Sequence, residues 1–187
     1  DQDRIRVTLY QIDLDNEIGF DSNSANLNLD ETRRYGMILE GARQWTDSFD
    51  TRLSITLLDG EISDGEFEGN QLPLVPEQAL RLDGGYRYSP ELLLGVELIA
   101  VGEQVLGGDF ANDLDKLDAY EVVNTHASYA RDNWVLGFRV NNLLDEEYSE
   151  LGNQFTTFAP PTFAPVNQAS FFPSPERNYW VSLDFKF

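Results

Sequence analysis

Apolar and polar side chains alternate with a period of two from one end of this chain to the other, and helical periodicity is hard to find. The last nine residues are the clearest case. Tyr179, Val181, Leu183, Phe185 and Phe187 fall on one face of a strand, with Trp180, Ser182, Asp184 and Lys186 on the other. A strand this greasy, left unpaired in water, would template aggregation. A barrel closed within a bilayer accommodates it, because every strand is paired and lipid receives the apolar face. No apolar run approaches the ~20 residues of a membrane helix, so membrane residence requires strands.

The alternation predicts about eight strands, most near the ~9–11 residues that a tilted membrane strand needs. They are expected at 4–14, 32–45, 51–59, 78–88, 92–98, 119–130, 134–141 and 179–187. In the first, the apolar phase moves from Ile5, Val7 and Leu9 to Tyr10, Ile12 and Leu14, for which a bulge near Leu9 is the expected cause. Connections alternate in length. Short turns follow the second, fourth and sixth strands, and long segments near 15–31, 60–77, 103–118 and 147–175 follow the others. All long loops therefore leave one rim, the asymmetry of outer-membrane barrels. Tyr35, Trp45, Tyr86, Tyr88, Tyr129 and Trp134 near strand ends fit interfacial girdles, although such residues are common in any strand.

Composition removes most other chemistry. At 187 residues there is room for one domain, and the formal net charge of −20 argues against nucleic acid. There is no cysteine and one histidine, so no thiolate or histidine-rich metal centre is available. No nucleophile, base and orienting acid can be assembled, so no catalytic residue and no cofactor is assigned. His126, mid-strand, reads as a hydrogen-bonded polar residue, and Arg52, Arg81, Arg87 and Arg139 alternate inward. The chain opens directly on Asp1-Gln2-Asp3-Arg4 ahead of a strand pattern, without a positively charged leader followed by an apolar stretch, so the expectation is either a removed signal peptide or the tail of something longer.

Acidic residues gather on the long loops, among them Asp13, Asp15, Glu17, Asp64, Glu66, Asp113, Asp115, Glu146 and Glu147. They admit two readings, an electronegative vestibule for cations or cationic ligands and a solvated rim. No run matches a calcium loop, and no metal site is assigned. The fourth long loop differs, being rich in proline and rings: Phe155, Phe158, Phe163, Phe171 and Phe172 are the candidate ligand-binding residues, against the reading of a stiff lid packed on its neighbours.

Several segments carry a family resemblance. The terminal strand, Tyr179 to Phe187, resembles the C-terminal signal read by the barrel-assembly machinery of bacterial outer membranes. Asn142, Leu143, Asp145 and Tyr148 resemble an Asn-Leu-x-Asp-x-x-Tyr signature; Tyr35-Gly36-Met37-Ile38-Leu39-Glu40 is similar to a Tyr-Gly-(apolar)-Glu strand opening. The stretch 74–82 resembles a Pro-x-His strand entry, with Gln78 where histidine is common, and 10–18 a Tyr-x-x-Asp-x-x-Asn-x-Ile stretch. Together they resemble the C-terminal part of TonB-dependent outer-membrane receptors. The resemblance implies an all-β, antiparallel transmembrane barrel portion, residues 1–187 being the last eight or so of about 22 strands. The N-terminal strands and the lumen plug would lie outside this chain. It further implies uptake of a scarce nutrient, most often a ferric siderophore or similar metal chelate. The implied partners are the TonB–ExbB–ExbD complex acting through the plug, the N-terminal part of the same receptor, outer-membrane lipid and lipopolysaccharide. A small self-contained barrel with an adhesive or structural role is the alternative.

Overall fold

The computed structural model describes residues 3–22 and 25–186. It is all-β and antiparallel. The strands are β1 (Arg4–Phe20), β2 (Asn26–Thr46), β3 (Phe49–Asp64), β4 (Gln78–Arg87), β5 (Leu92–Val101), β6 (Tyr120–Arg131), β7 (Trp134–Asn141), β8 (Ser149–Ala159), β9 (Ala164–Pro173) and β10 (Asn178–Phe185). Eight form one sheet in the order β1-β2-β3-β4-β5-β6-β7-β10, and β8 with β9 makes a separate hairpin. The sheet is open: β1 and β10 stand at its two edges, so these strands do not close on themselves as a small barrel.

Cross-strand register sorts the side chains onto two faces. Ile5, Gly41, Leu53, Leu82, Leu98 and Val123 lie side by side across six strands, giving an apolar row. A parallel row of Phe138 and Val181, Leu136 and Leu183, and Trp134 and Phe185 continues it across β7 and β10. On the opposite face, Asp50, Gly85, Gly95, His126, Arg139 and Trp180 follow one another from β3 to β10. The apolar face is uncovered by protein: Ile5 is 80% exposed and Val181 70%. Fully burying one such side chain is worth ~1.5–3 kcal/mol, so a face built of them needs hydrocarbon against it. This face contacts lipid, and the polar one lines the lumen.

Three sequence expectations need correction. The alternation in β1 does not pass through a bulge near Leu9, because pairing with β2 runs unbroken from Arg4 opposite Ala42 to Asp15 opposite Glu31. Tyr10, Ile12 and Leu14 are instead lumen-facing, and Tyr10 lies flat over Gly36, where a Cβ would collide with its ring. Register shifts occur at Glu31/Thr32 and Gln44/Thr46. The first long loop is mostly strand, since β1 and β2 extend to a short connection after Phe20. The fourth contains the β8–β9 hairpin, which proline-rich composition concealed. Phe187, the end of the expected assembly signal, lies outside the described residues.

The long connections form a cap on one rim. Leu29 on β2, Ile62 on β3, Leu72 and Phe110 are buried together, with Leu27, Phe67 and Val75 against them. Asn112 ties two connections: its Oδ1 accepts from Gln71 N at 2.9 Å and its Nδ2 donates to Gln71 O at 3.1 Å. Leu74 N donates to Val105 O at 2.9 Å. The buried Asp109 carboxylate accepts from Asp113 N and Leu114 N, both at 3.0 Å, and so shapes its own loop.

Candidate functional site

The lumen wall is organised around Glu97. Its side chain is 9% exposed and receives Arg81, Arg139 at 3.4 Å and Asn124 Nδ2 at 2.8 Å. β-pairing supplies this geometry, because Asp83, Glu97 and Asn124 are register neighbours on β4, β5 and β6. Arg81 also donates to Asp83 at 3.1 Å, and Arg139 Nε to Asn141 Oδ1 at 2.5 Å. Of the four arginines read as inward-facing, Arg81 and Arg139 thus share Glu97, and Arg52 lies 3.7 Å from Asp50. His126 lies over Gly95 and is paired in register with Arg139, but among the described residues no hydrogen bond reaches its ring, contrary to the sequence expectation.

Residues 142–148 form a latch at the rim. Asn142, at φ 50°, accepts from Glu146 N at 2.9 Å and donates to Glu146 O at 2.8 Å, while its own N–H donates to Asn124 Oδ1 at 2.9 Å. The left-handed backbone at Asn142 and Asp145 turns the chain out of β7, and asparagine and aspartate tolerate it better than branched residues. Asp145 receives Arg177 through the backbone N at 2.9 Å and through Nη2 at 3.1 Å. The Leu143 backbone N bonds Val123 O at 2.7 Å, and the Tyr148 ring lies 4.6 Å from that of Tyr120. The residues of the signature therefore fasten the β7–β8 connection to β6 and to the segment entering β10. Burial, with Glu150 nearby, pushes the Tyr148 hydroxyl above its ordinary value of 10.0.

On the lumen side of the cap, a cavity of about 460 Å³ opens where four segments meet. Its lining comes from the β1–β2 tip (Glu17, Phe20, Arg34), the β3–β4 connection (Leu72, Leu74), the β5–β6 connection (Gly107, Phe110) and β8 (Asn153, Gln154). Its volume suits a small ligand or part of a larger one. Arg34 Nη2 donates to both Glu17 oxygens, at 2.8 and 3.0 Å, and Arg34 Nη1 to Thr32 Oγ1 at 3.0 Å. Partial burial pushes the Glu17 carboxyl up, but the hydrogen bonds from Arg34 and Thr32 outweigh it and hold the group below its ordinary 4.5. Nearby, Arg33 donates to Asp13 at 2.7 Å. Part of the acidity expected on the first loop is thus neutralised by arginines across the strand pair.

The five phenylalanines do not converge on this cavity. Phe155 and Phe172 share one face of the hairpin, while Phe158 and Phe171 share the other. Phe163, at φ 53°, sits at its tip and is 66% exposed. The hairpin is anchored at its base by Gly107 N to Gly152 O at 2.8 Å and Gln154 N to Gly107 O at 2.7 Å. Farther out, Thr156 N bonds Ser22 O at 3.1 Å. Tyr179, Val181, Leu183 and Phe185 lie on the lipid face of β10. Sequence reasoning passed over the cavity residues Arg34, Asn153 and Gln154. The glutamine lies in a segment without periodicity, and only the hairpin and its anchor bring it inward.

The sequence matches the family described as TonB dependent receptor-like, beta-barrel, over residues 1–143. The chain belongs to that family, whose members are bacterial outer-membrane barrels. Among solved structures, the siderophore receptor PiuA from Acinetobacter baumannii is similar at 21% identity and a TM-score of 0.76, over 98% of this chain and 26% of that one. The copper transporter OprC is similar at 21% identity and 0.75, over 100% and 29%. A variant of the ferric enterobactin receptor PfeA from Pseudomonas aeruginosa is similar at 18% identity and 0.76, over 98% and 29%. The chain thus spans between a quarter and a third of each of these. No curated protein gives a significant sequence match. The family and these relatives are transport receptors and not enzymes.

Proposed function

We propose that this chain is the C-terminal part of the barrel of an outer-membrane receptor that takes up a scarce nutrient, a ferric siderophore or similar metal chelate, with energy from TonB. The observation that carries this reading is the two-faced sheet, lipid-seeking outside and charge-lined inside, in a chain whose family match covers residues 1–143. The open edges at β1 and β10 call for strands that an N-terminal part of the same receptor would supply. The plug would lie in that part and would engage the TonB–ExbB–ExbD complex. Glu97 and its arginines form a wall against which such a plug can pack.

The cap gives the ligand its first contacts. The cavity at Arg34 and Gln154 receives one portion, and the rings on the β8–β9 hairpin cover an apolar portion above it. Tyr179, Val181, Leu183, Phe185 and Phe187 serve as the assembly signal. The test is uptake of radiolabelled iron chelates by cells carrying the full-length receptor. Accumulation that requires both the receptor and TonB supports the reading, and accumulation independent of either overturns it. Deleting 157–168 is expected to lower uptake severalfold while the barrel still assembles; unchanged uptake would remove the hairpin from ligand contact.

A further inference from the structure

Gln154 is buried to 8% exposure, yet among the described residues its side-chain amide has no hydrogen-bond partner. Only its backbone is engaged, through Gly107 O at 2.7 Å. Buried amides are ordinarily satisfied, and one that is not destabilises the fold unless something else bonds it. Ser63 Oγ is the one fully enclosed side-chain polar atom without a partner among the described residues, so the Gln154 amide opens into the cavity it lines. A primary amide presents a donor and an acceptor in one plane, which complements a secondary amide or a hydroxamate.

The charges nearby narrow the choice. Arg34 is already neutralised by Glu17, with hydrogen bonds to both of its oxygens, so the cavity offers no uncompensated cation to an anionic ligand. Asp21 lines the same space, and its Oδ1 accepts from Ala25 N at 2.8 Å. Phe20, Leu72 and Phe110 supply an apolar wall that strengthens a hydrogen bond formed against it.

We propose that Gln154 is the hydrogen-bonding anchor for an uncharged amide or hydroxamate group of the transported chelate, seated in this cavity. The assignment rests on the uptake reading and narrows its substrate class to neutral, amide-like chelates over anionic catecholates.

The test uses the full-length receptor in detergent, with a neutral ferric tris-hydroxamate and an anionic ferric tris-catecholate as probes and tryptophan fluorescence as the readout. The wild type binds the hydroxamate at least tenfold more tightly than the catecholate. Gln154→Leu weakens hydroxamate binding at least fivefold while the thermal midpoint of the free receptor stays the same or rises. An amide serving only the fold would show the opposite, a lower midpoint with unchanged affinity, and that result overturns the proposal. Tighter binding of the catecholate, or binding of neither probe, overturns it as well. A receptor that binds neither but accumulates free copper in a TonB-dependent manner would discard this ligand class while leaving energised uptake standing.

Discussion

The membrane band and the cap of this molecule are held together by different solvents. The band is one sheet thick, and residues such as Val96 and Phe185, near half exposure, touch only neighbours within the sheet and have no second layer over them. The cap carries its own small core, in which Ile62 is 1% and Leu72 3% exposed. The first is completed by hydrocarbon and the second by its own packing. Burial by protein is thus concentrated where water would otherwise reach both sides of the chain.

The sharpest way to break that contrast is to remove Phe110. Phe110→Ala takes a ring away from Leu29, Ile62 and Leu72 and is expected to cost the cap ~3–5 kcal/mol, seen as protease cleavage and hydrogen exchange confined to the long connections. Loss of protection in the band as well would show that the two regions fold as one unit. Val96→Arg probes the other side, placing a charge in lipid at an expected cost of ~2–4 kcal/mol near mid-bilayer, read as a lower denaturant midpoint in vesicles with the cap unaffected. If the variant is neutral, lipid does not touch that face.

Glu97→Gln has a smaller effect. It leaves Arg81 and Arg139 without their shared carboxylate, but both arginines are more than half exposed, so ~1 kcal/mol of barrel stability is expected after allowing for solvent screening. The smallest effect is that of pH on the β1–β2 tip. Because the folded-state carboxyl of Glu17 titrates below its ordinary 4.5, its contribution is present above that value and is lost as pH falls through the depressed one. Protection factors for exchange at Thr32 and Arg34, corrected for the intrinsic slowing in acid, should therefore fall below about pH 4.5, whereas those of Glu17→Gln should stay constant there.

The band was legible in the sequence because a two-sided sheet writes a period of two into every strand, and β7 was located to the residue. The cap was not. Leu29, Ile62, Leu72 and Phe110 come one at a time from segments far apart in the chain, among acids and glycines that read as loop. The β8–β9 hairpin was hidden for a related reason, since prolines at 160, 161, 165 and 173 interrupt any alternation. The bulge expected near Leu9 failed because Tyr10 found room over a glycine, a contact between strands that a single strand's pattern does not contain. Among the site residues, the 142–148 segment was visible as a local motif, while Gln154 gains its meaning only from three-dimensional burial.

The glycines at 36, 95 and 137 lie on the lumen face, beneath Tyr10, His126 and Ser182. Each lets its neighbour recline along the sheet where a larger residue would prop it upright. The bore keeps a low relief there, so a bulky body sliding past meets fewer side chains that must first swing out of its way.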